Sequence, residues 1–143
     1  MSQHDQNQIK DLILQFHQAA TNADLAFMDQ IFANDEQVQL IGSDPREVIT
    51  GHAAVVQFWT GLFQALRDLG YPNNGGLPTV SDGASIHVDV HGPVAWATDF
   101  PTWHFAKGTT AFRQTLVFHR EQGAWKISHT HFSVGVADAD LPL

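Results

Sequence analysis

Apolar residues recur at helical spacing through the first half of the chain and at alternate positions through the second. Ile9, Leu12, Ile13, Phe16 and Ala20 fall on one face of a helix, and Asp5 with Gln8 three residues on forms a capping box at its start. Asp24 is placed to cap a shorter helix carrying Leu25, Met28, Ile31 and Phe32. A short hairpin follows, Val38 to Ile41 and Glu47 to Ile49. The longest apolar stripe is Val55, Phe58, Trp59, Leu62, Phe63 and Leu66, which predicts a helix from His52 to Leu69 stopped by Gly70. Tyr71 to Gly83 holds two prolines, Pro72 and Pro78, and three glycines, Gly75, Gly76 and Gly83, and reads as a mobile flap.

Beyond the flap the period changes to two. Ile86, Val88 and Val90 alternate with Ser85, His87 and Asp89 before a Gly92-Pro93 turn. Val94 to Phe105 is a second strand, bent at Pro101 because proline cannot donate to a ladder. Ala111 to His119 and Ala124 to Val134 complete the set. Strands in succession without intervening helices predict an antiparallel sheet, and the helices must cover one face of it. The fold class expected is therefore α+β: three N-terminal helices packed on a strongly curved, mostly antiparallel sheet, closing a cone with a cavity. One domain, 1–143, accommodates this.

The last two strands allow a register. A three-residue loop with Gly123 as its left-handed residue would set Arg120 opposite Ala124, Val117 opposite Ile127, Thr115 opposite His129 and Arg113 opposite His131. Those positions share parity with Trp125 and Ser133, so one face would grade from Trp125 and Ile127 to Arg113, His129, His131 and Ser133. Such a gradient suits the floor of a pocket, so Arg113 and His131 are expected on the concave side. The opposite face would carry Phe112, Leu116, Phe118 and Phe132, and four large apolar residues there need a cover, such as a second copy of the chain.

Charge narrows the partners. Fifteen acidic residues against seven basic give −8 with histidine neutral, a field that repels phosphates and argues against nucleic acid. Nine histidines can change that charge between neutral and mildly acid pH. No stretch approaches the roughly 18 apolar residues of a membrane span. The polar start MSQHDQNQIK has no apolar segment of a secretory signal, and with no cysteine there is no disulfide or thiolate site. A cytoplasmic protein is expected.

Histidines carry the candidate chemistry. His129 or His131 can serve as a general acid or base, and Arg113 can neutralise a ligand's charge. Thr115 and Ser133 supply hydroxyls, while Trp59, Phe63 and Trp103 supply apolar walls. Each also has a scaffold reading: the two histidines as satisfied residues at a sheet margin, Arg113 as the partner of Asp99, the tryptophans as core. His-x-His places two imidazoles about 6.6 Å apart at Cα on one face. Zinc would need a third ligand, with His104 or His17 as candidates, and no motif supplies one. Neither metal nor cofactor is expected. Ser133 and His131, two residues apart on one strand, are badly placed for nucleophile activation, and there is no G-x-S-x-G elbow.

The segment HREQGAWKISHTHFS, with Arg113 and Thr115 upstream and VQLIGSDPREVITG earlier, resembles the SnoaL-like branch of the nuclear transport factor 2-like superfamily. Within it the chain is most similar to proteins like the association domain of calcium/calmodulin-dependent kinase II. The most specific piece is Trp125, His129, His131 and Ser133 in the pattern W-x-x-x-H-x-H-x-S. The resemblance implies a cone-shaped fold, a homodimer or larger ring, and a pocket between helices and concave sheet, without fixing a reaction. The ketosteroid isomerase pattern asks for a tyrosine oxyanion donor, whereas the single tyrosine here, Tyr71, lies in the flap. A domain binding a small organic anion or carbonyl compound is expected, as an isomerase, cyclase, hydrolase or lyase if it is an enzyme. The rival is a non-catalytic homo-oligomerisation module with a vestigial pocket.

Overall fold

A computed structural model describes residues 2–143. Its first helix, α1 (Gln3–Asn22), starts one turn earlier than Asp5 capping would allow. Ser2 is the cap, its hydroxyl accepting from the Asp5 N–H at 3.3 Å. Asp24 does cap α2 (Leu25–Ile31), accepting from Phe27 N–H at 3.1 Å. The hairpin is β1 (Gln39–Ile41) with β2 (Val48–Thr50), and α3 (His52–Asp68) follows it. The remaining strands are β3 (Thr79–Val80), β4 (His87–His91), β5 (Val94–Asp99), β6 (Thr102–Phe105), β7 (Gly108–Ala111), β8 (Arg113–Glu121) and β9 (Ala124–Ser133), with short helical turns at Pro72–Gly75, Gly83–Ser85 and Asp138–Asp140.

Six strands form the main sheet in the order β2-β1-β9-β8-β5-β4, antiparallel except where β1 runs parallel to β9. Pro101 does more than bend a strand. It divides the expected long strand into β5, in the main sheet, and β6, which joins a small sheet ordered β3-β6-β7. The helices cover the inner face alone. Ile9, Ile13 and Phe16 of α1 and Val55, Trp59 and Phe63 of α3 pack with Val88, Val90, Ala95, Ala97, Leu116, Phe118, Ile127 and Phe132 in one cluster.

The hairpin between β8 and β9 corrects the expected register. Its turn has two residues, Gln122 and Gly123, both left-handed at φ 50° and 81°, so Glu121 faces Ala124 and Arg120 faces Trp125. Farther along, an extra residue on β9 makes a bulge between Val117 and Phe118, and from there Val117 faces His129, Thr115 faces His131 and Arg113 faces Ser133. The expected pairing of Arg113 with His131 does not form. The bulge also breaks the parity assumed along β9. Trp125 and Ile127 point inward, whereas His129, His131 and Ser133 point outward with Arg113 and Thr115. Accordingly Phe112, Leu116, Phe118 and Phe132, expected outside, lie buried beneath the helices.

The expected flap is anchored. Leu77 N–H donates to Ala20 O at 2.9 Å and Thr79 N–H to Thr21 Oγ1 at 3.0 Å. A Cβ on Gly76 would sit 1.8 Å from the Thr21 carbonyl oxygen, so only glycine lets the segment lie this close to α1. Among the described residues no helix is long and apolar enough to cross a membrane.

Candidate functional site: a buried histidine and aspartate at the inner face

The helical stripe that buries Ile9, Ile13 and Phe16 also buries His17, next to Phe16 on the same side of α1. Only 4% of its surface is exposed. Period two along β5 turns Ala95, Ala97 and Asp99 inward, and Asp99 is wholly buried at the strand's end. Eighty-two residues separate the two in sequence, yet His17 Nε2 is hydrogen-bonded to Asp99 Oδ2. Ser81 Oγ donates to Asp99 Oδ1 at 2.5 Å, and Phe100 N–H donates to the same oxygen at 2.8 Å. Both carboxylate oxygens are thus held, as a buried carboxylate requires.

The anchored segment makes this possible. Thr21, one turn beyond His17, donates its hydroxyl to His17 O at 2.9 Å and accepts from Thr79, which sets Ser81 over Asp99. Leu14, His17, Gln18, Thr21, Thr79, Val80 and Ser81 line a cleft of about 340 Å³. Donation from Nε2 to the carboxylate leaves Nδ1 without a hydrogen bond among the described residues. A neutral His17 in that tautomer presents Nδ1 as a base, and a protonated one presents it as an acid.

Two more buried polar groups continue the line. Gln114 on β8 stands directly opposite Asp99 and donates from Nε2 to Thr130 Oγ1 at 2.9 Å. Its Oε1 and the indole N–H of Trp59 have no partner among the described residues. Leaving such an atom unpaired costs about 1–3 kcal/mol, and the indole N–H of Trp125 is a third such group among the described residues. Around them the rings are close: Trp59 to Phe16 5.5 Å, Trp59 to Phe63 5.8 Å, Phe132 to Trp103 5.4 Å.

The predicted site residues are divided by the sheet. Trp59 and Phe63 are in the core, and Trp103 packs at its edge against Phe112 at 4.0 Å. Arg113, Thr115, His129, His131 and Ser133 do gather in neighbouring cross-strand positions, but on the outer face. Arg113 and Asp99 therefore lie on opposite faces, and His17 takes the place at Asp99 that the scaffold reading gave to Arg113. Partial burial pushes the His129 pKa down, and the neighbouring His131 charge adds to it. No group of three His, Cys, Asp or Glu could hold a metal among the described residues. His17 and Asp99 were legible one at a time, as a histidine at i+4 from Ile13 and an acid in phase with Ala95 and Ala97. Their meeting was not.

Residues 9–137 match the family model described as SnoaL-like domain. The chain belongs to that family. Solved structures of the nuclear transport factor 2-like kind share its fold. A Pseudomonas putida protein of unknown function is 20% identical, covers 100% of this chain and 96% of its own, and has a TM-score of 0.76. A Salmonella enterica superfamily protein is 19% identical over 92% of each chain, with a TM-score of 0.71. A Streptomyces avermitilis protein described as a "putative dehydratase" is 17% identical over 96% of this chain and 100% of its own, with a TM-score of 0.74. No curated protein matches.

Proposed function

We propose that this SnoaL-like protein binds a small carbonyl compound or organic anion at the His17 end of the inner face and moves a proton on it. His17 is the general acid–base through Nδ1, and Asp99 is a positioning residue that holds the imidazole by Nε2. The observation that supports this is the wholly buried, fully bonded Asp99 with its histidine on the floor of a cleft. Proton abstraction beside a carbonyl is the first half of both isomerisation and dehydration, and a structural neighbour is described as a "putative dehydratase". The predicted outer-face set is a less suitable reaction centre, because an open sheet face cannot exclude water.

The test uses a panel of simple ketones and keto acids in D2O, with α-proton exchange followed by NMR. Exchange catalysed by the native chain should fall about 100-fold or more in His17→Gln, the usual scale of general acid–base catalysis. Equal exchange in native and variant protein sinks the reading.

A non-catalytic homo-oligomerisation module is the second reading, favoured by the mutual ring contacts of Phe16, Trp59, Phe63 and Phe132, which occupy the inner face. Under either reading we infer that a second copy of the chain is a partner, the homodimer that the resemblance implies. The closer likeness to the kinase-association domain rests on the Trp125, His129, His131 and Ser133 pattern.

A further inference from the structure

We propose that the groove along the solvent side of α1, from the β8–β9 hairpin to α2, is a second binding site, and that it takes a neutral oligosaccharide. It is separate from the His17 site proposed above.

Two stripes run side by side along α1. One is the buried stripe of Ile9, Ile13, Phe16 and Ala20. The other is Gln8, Asp11, Gln15, Gln18 and Asn22, which recur at alternate steps of three and four residues and so share one face. Asp11 apart, every member of it is a carboxamide. All five are exposed, and none has a side-chain hydrogen bond or ion pair among the described residues. The stripe extends over about 21 Å at the usual helical rise.

Two clefts adjoin along it. The first, about 360 Å³, lies between Gln8, Asp11, Leu12 and Gln15 and the hairpin residues Gly123, Ala124 and Trp125. The second, about 220 Å³, lies between Gln15, Gln18, Ala19 and Asn22 and the start of α2 at Asp24 and Phe27. Gln15 lines both, so they are two halves of one groove. Each half carries one aromatic ring.

Trp125 points to a ligand. It is only 5% exposed, and its indole N–H has no partner among the described residues. The ring is held in place from the other side. Arg120 lies over it, 4.4 Å from guanidinium carbon to ring centre, and is itself paired with Asp5. A side chain fixed before binding loses little freedom when a ligand arrives.

The lining selects the ligand's chemistry. Its charges are the carboxylates of Asp11 and Asp24, so an anion is repelled. An ammonium group would suit those carboxylates but has no acceptor to give the indole N–H. A hydroxyl has both. It donates to Asp11 or to an amide oxygen, and it accepts from the indole or an amide N–H. Sugars carry hydroxyls on neighbouring carbons, together with an apolar C–H face for Leu12 and the rings to cover. Amides repeated along the whole of α1 suit a short chain of sugars better than a single one.

Calorimetric titration of the native chain with neutral tetrasaccharides of glucose, xylose and N-acetylglucosamine, with their monosaccharides, and with tetragalacturonate tests this. At least one neutral tetrasaccharide should bind with a Kd of about 1 mM or below, about tenfold or more tighter than its monosaccharide, and tetragalacturonate should bind more weakly. Asp11→Ala and Trp125→Phe should each weaken that binding about tenfold, the usual worth of one hydrogen bond. Gln15→Ala, at the junction of the two halves, should bring the tetrasaccharide toward the affinity of the monosaccharide. Asp11 and Gln15 are exposed, so their variants should melt as the native chain does and read binding even where Trp125→Phe disturbs the core. His17→Gln, which should abolish proton exchange, should leave the saccharide Kd unchanged, so failure at either site is told from failure at the other. No binding of any neutral saccharide up to about 10 mM overturns the proposal. Binding that is unchanged in Asp11→Ala and Gln15→Ala, or lost in His17→Gln, overturns the groove as its place. Tighter binding of tetragalacturonate overturns the choice of a neutral ligand.

Discussion

The two faces of the main sheet use the same residue types to different ends. On the inner face His17, Asp99, Gln114 and Thr130 are almost wholly buried and bonded to other protein groups, although Gln114 Oε1 has no partner among the described residues. On the outer face His87, His119 and His131 are open to solvent, and Arg113 has no ion pair among the described residues. A polar group in the core is fixed by what it would lose if its partner went. One on the open face is free to respond to pH or to a visitor. The inner face therefore concentrates the energetic consequences of mutation, and the outer face concentrates those of solution conditions.

The sharpest way to break the comparison is Asp99→Ala. It strands His17 and Ser81 in the core and should destabilise the fold by about 3–5 kcal/mol, measured by urea denaturation. An apolar pair of similar volume, His17→Phe with Asp99→Leu, should recover much of that loss while abolishing proton exchange. Recovery of stability with exchange intact would show that the pair is not the reaction centre.

Gly76→Ala probes the anchoring that brings Ser81 to Asp99. The new Cβ would meet the Thr21 carbonyl at 1.8 Å, so backbone must move, at about 1–3 kcal/mol on the usual scale of overpacking. Hydrogen exchange at Thr79 should accelerate with it. Unchanged stability and protection would mean that the segment has room to shift.

The outer face should give smaller effects. The folded chain holds His129 below its ordinary pKa, so the unfolded chain takes up that proton first as pH falls through about 6.5. Its contribution to stability is full above that value and is lost in acid, and His129→Gln should flatten the acid side of the melting profile slightly. No difference between the two profiles would contradict the shift.

Arg113→Ala should change stability by no more than about 0.5 kcal/mol, since Asp99 is bonded to His17 and Ser81 instead. A loss of several kcal/mol in equilibrium unfolding would mean that the arginine pairs with a buried acid after all.

Local rules carried most of the fold. Asp24 as a cap, the Val55-to-Leu66 stripe and the alternation through Val88 and Val90 each describe one element, and each needs only its own neighbours to be read. The hairpin shows where such rules stop. Gln122 in the left-handed region is an uncommon choice for a residue with a side chain, and the bulge near Val117 has no marker in the composition of β9. Together they moved His129, His131 and Arg113 across the sheet. The site was less legible still.

Sequence by itself determined the three long helical stretches and most strands of the main sheet, that the chain is α+β, and that His17 and Asp99 each fall in phase with apolar neighbours. Period and capping are short-range, so a single chain displays them. Tertiary structure alone decided that His17 meets Asp99 across 82 residues, that Ser81 reaches the same carboxylate, and which side of the sheet the histidines of β9 occupy. The reason is geometric. Side chains on a strand alternate faces, so one inserted residue reverses every later position, and only the packing of the helices on Trp125, Ile127 and Phe132 makes one of the two answers lower in free energy.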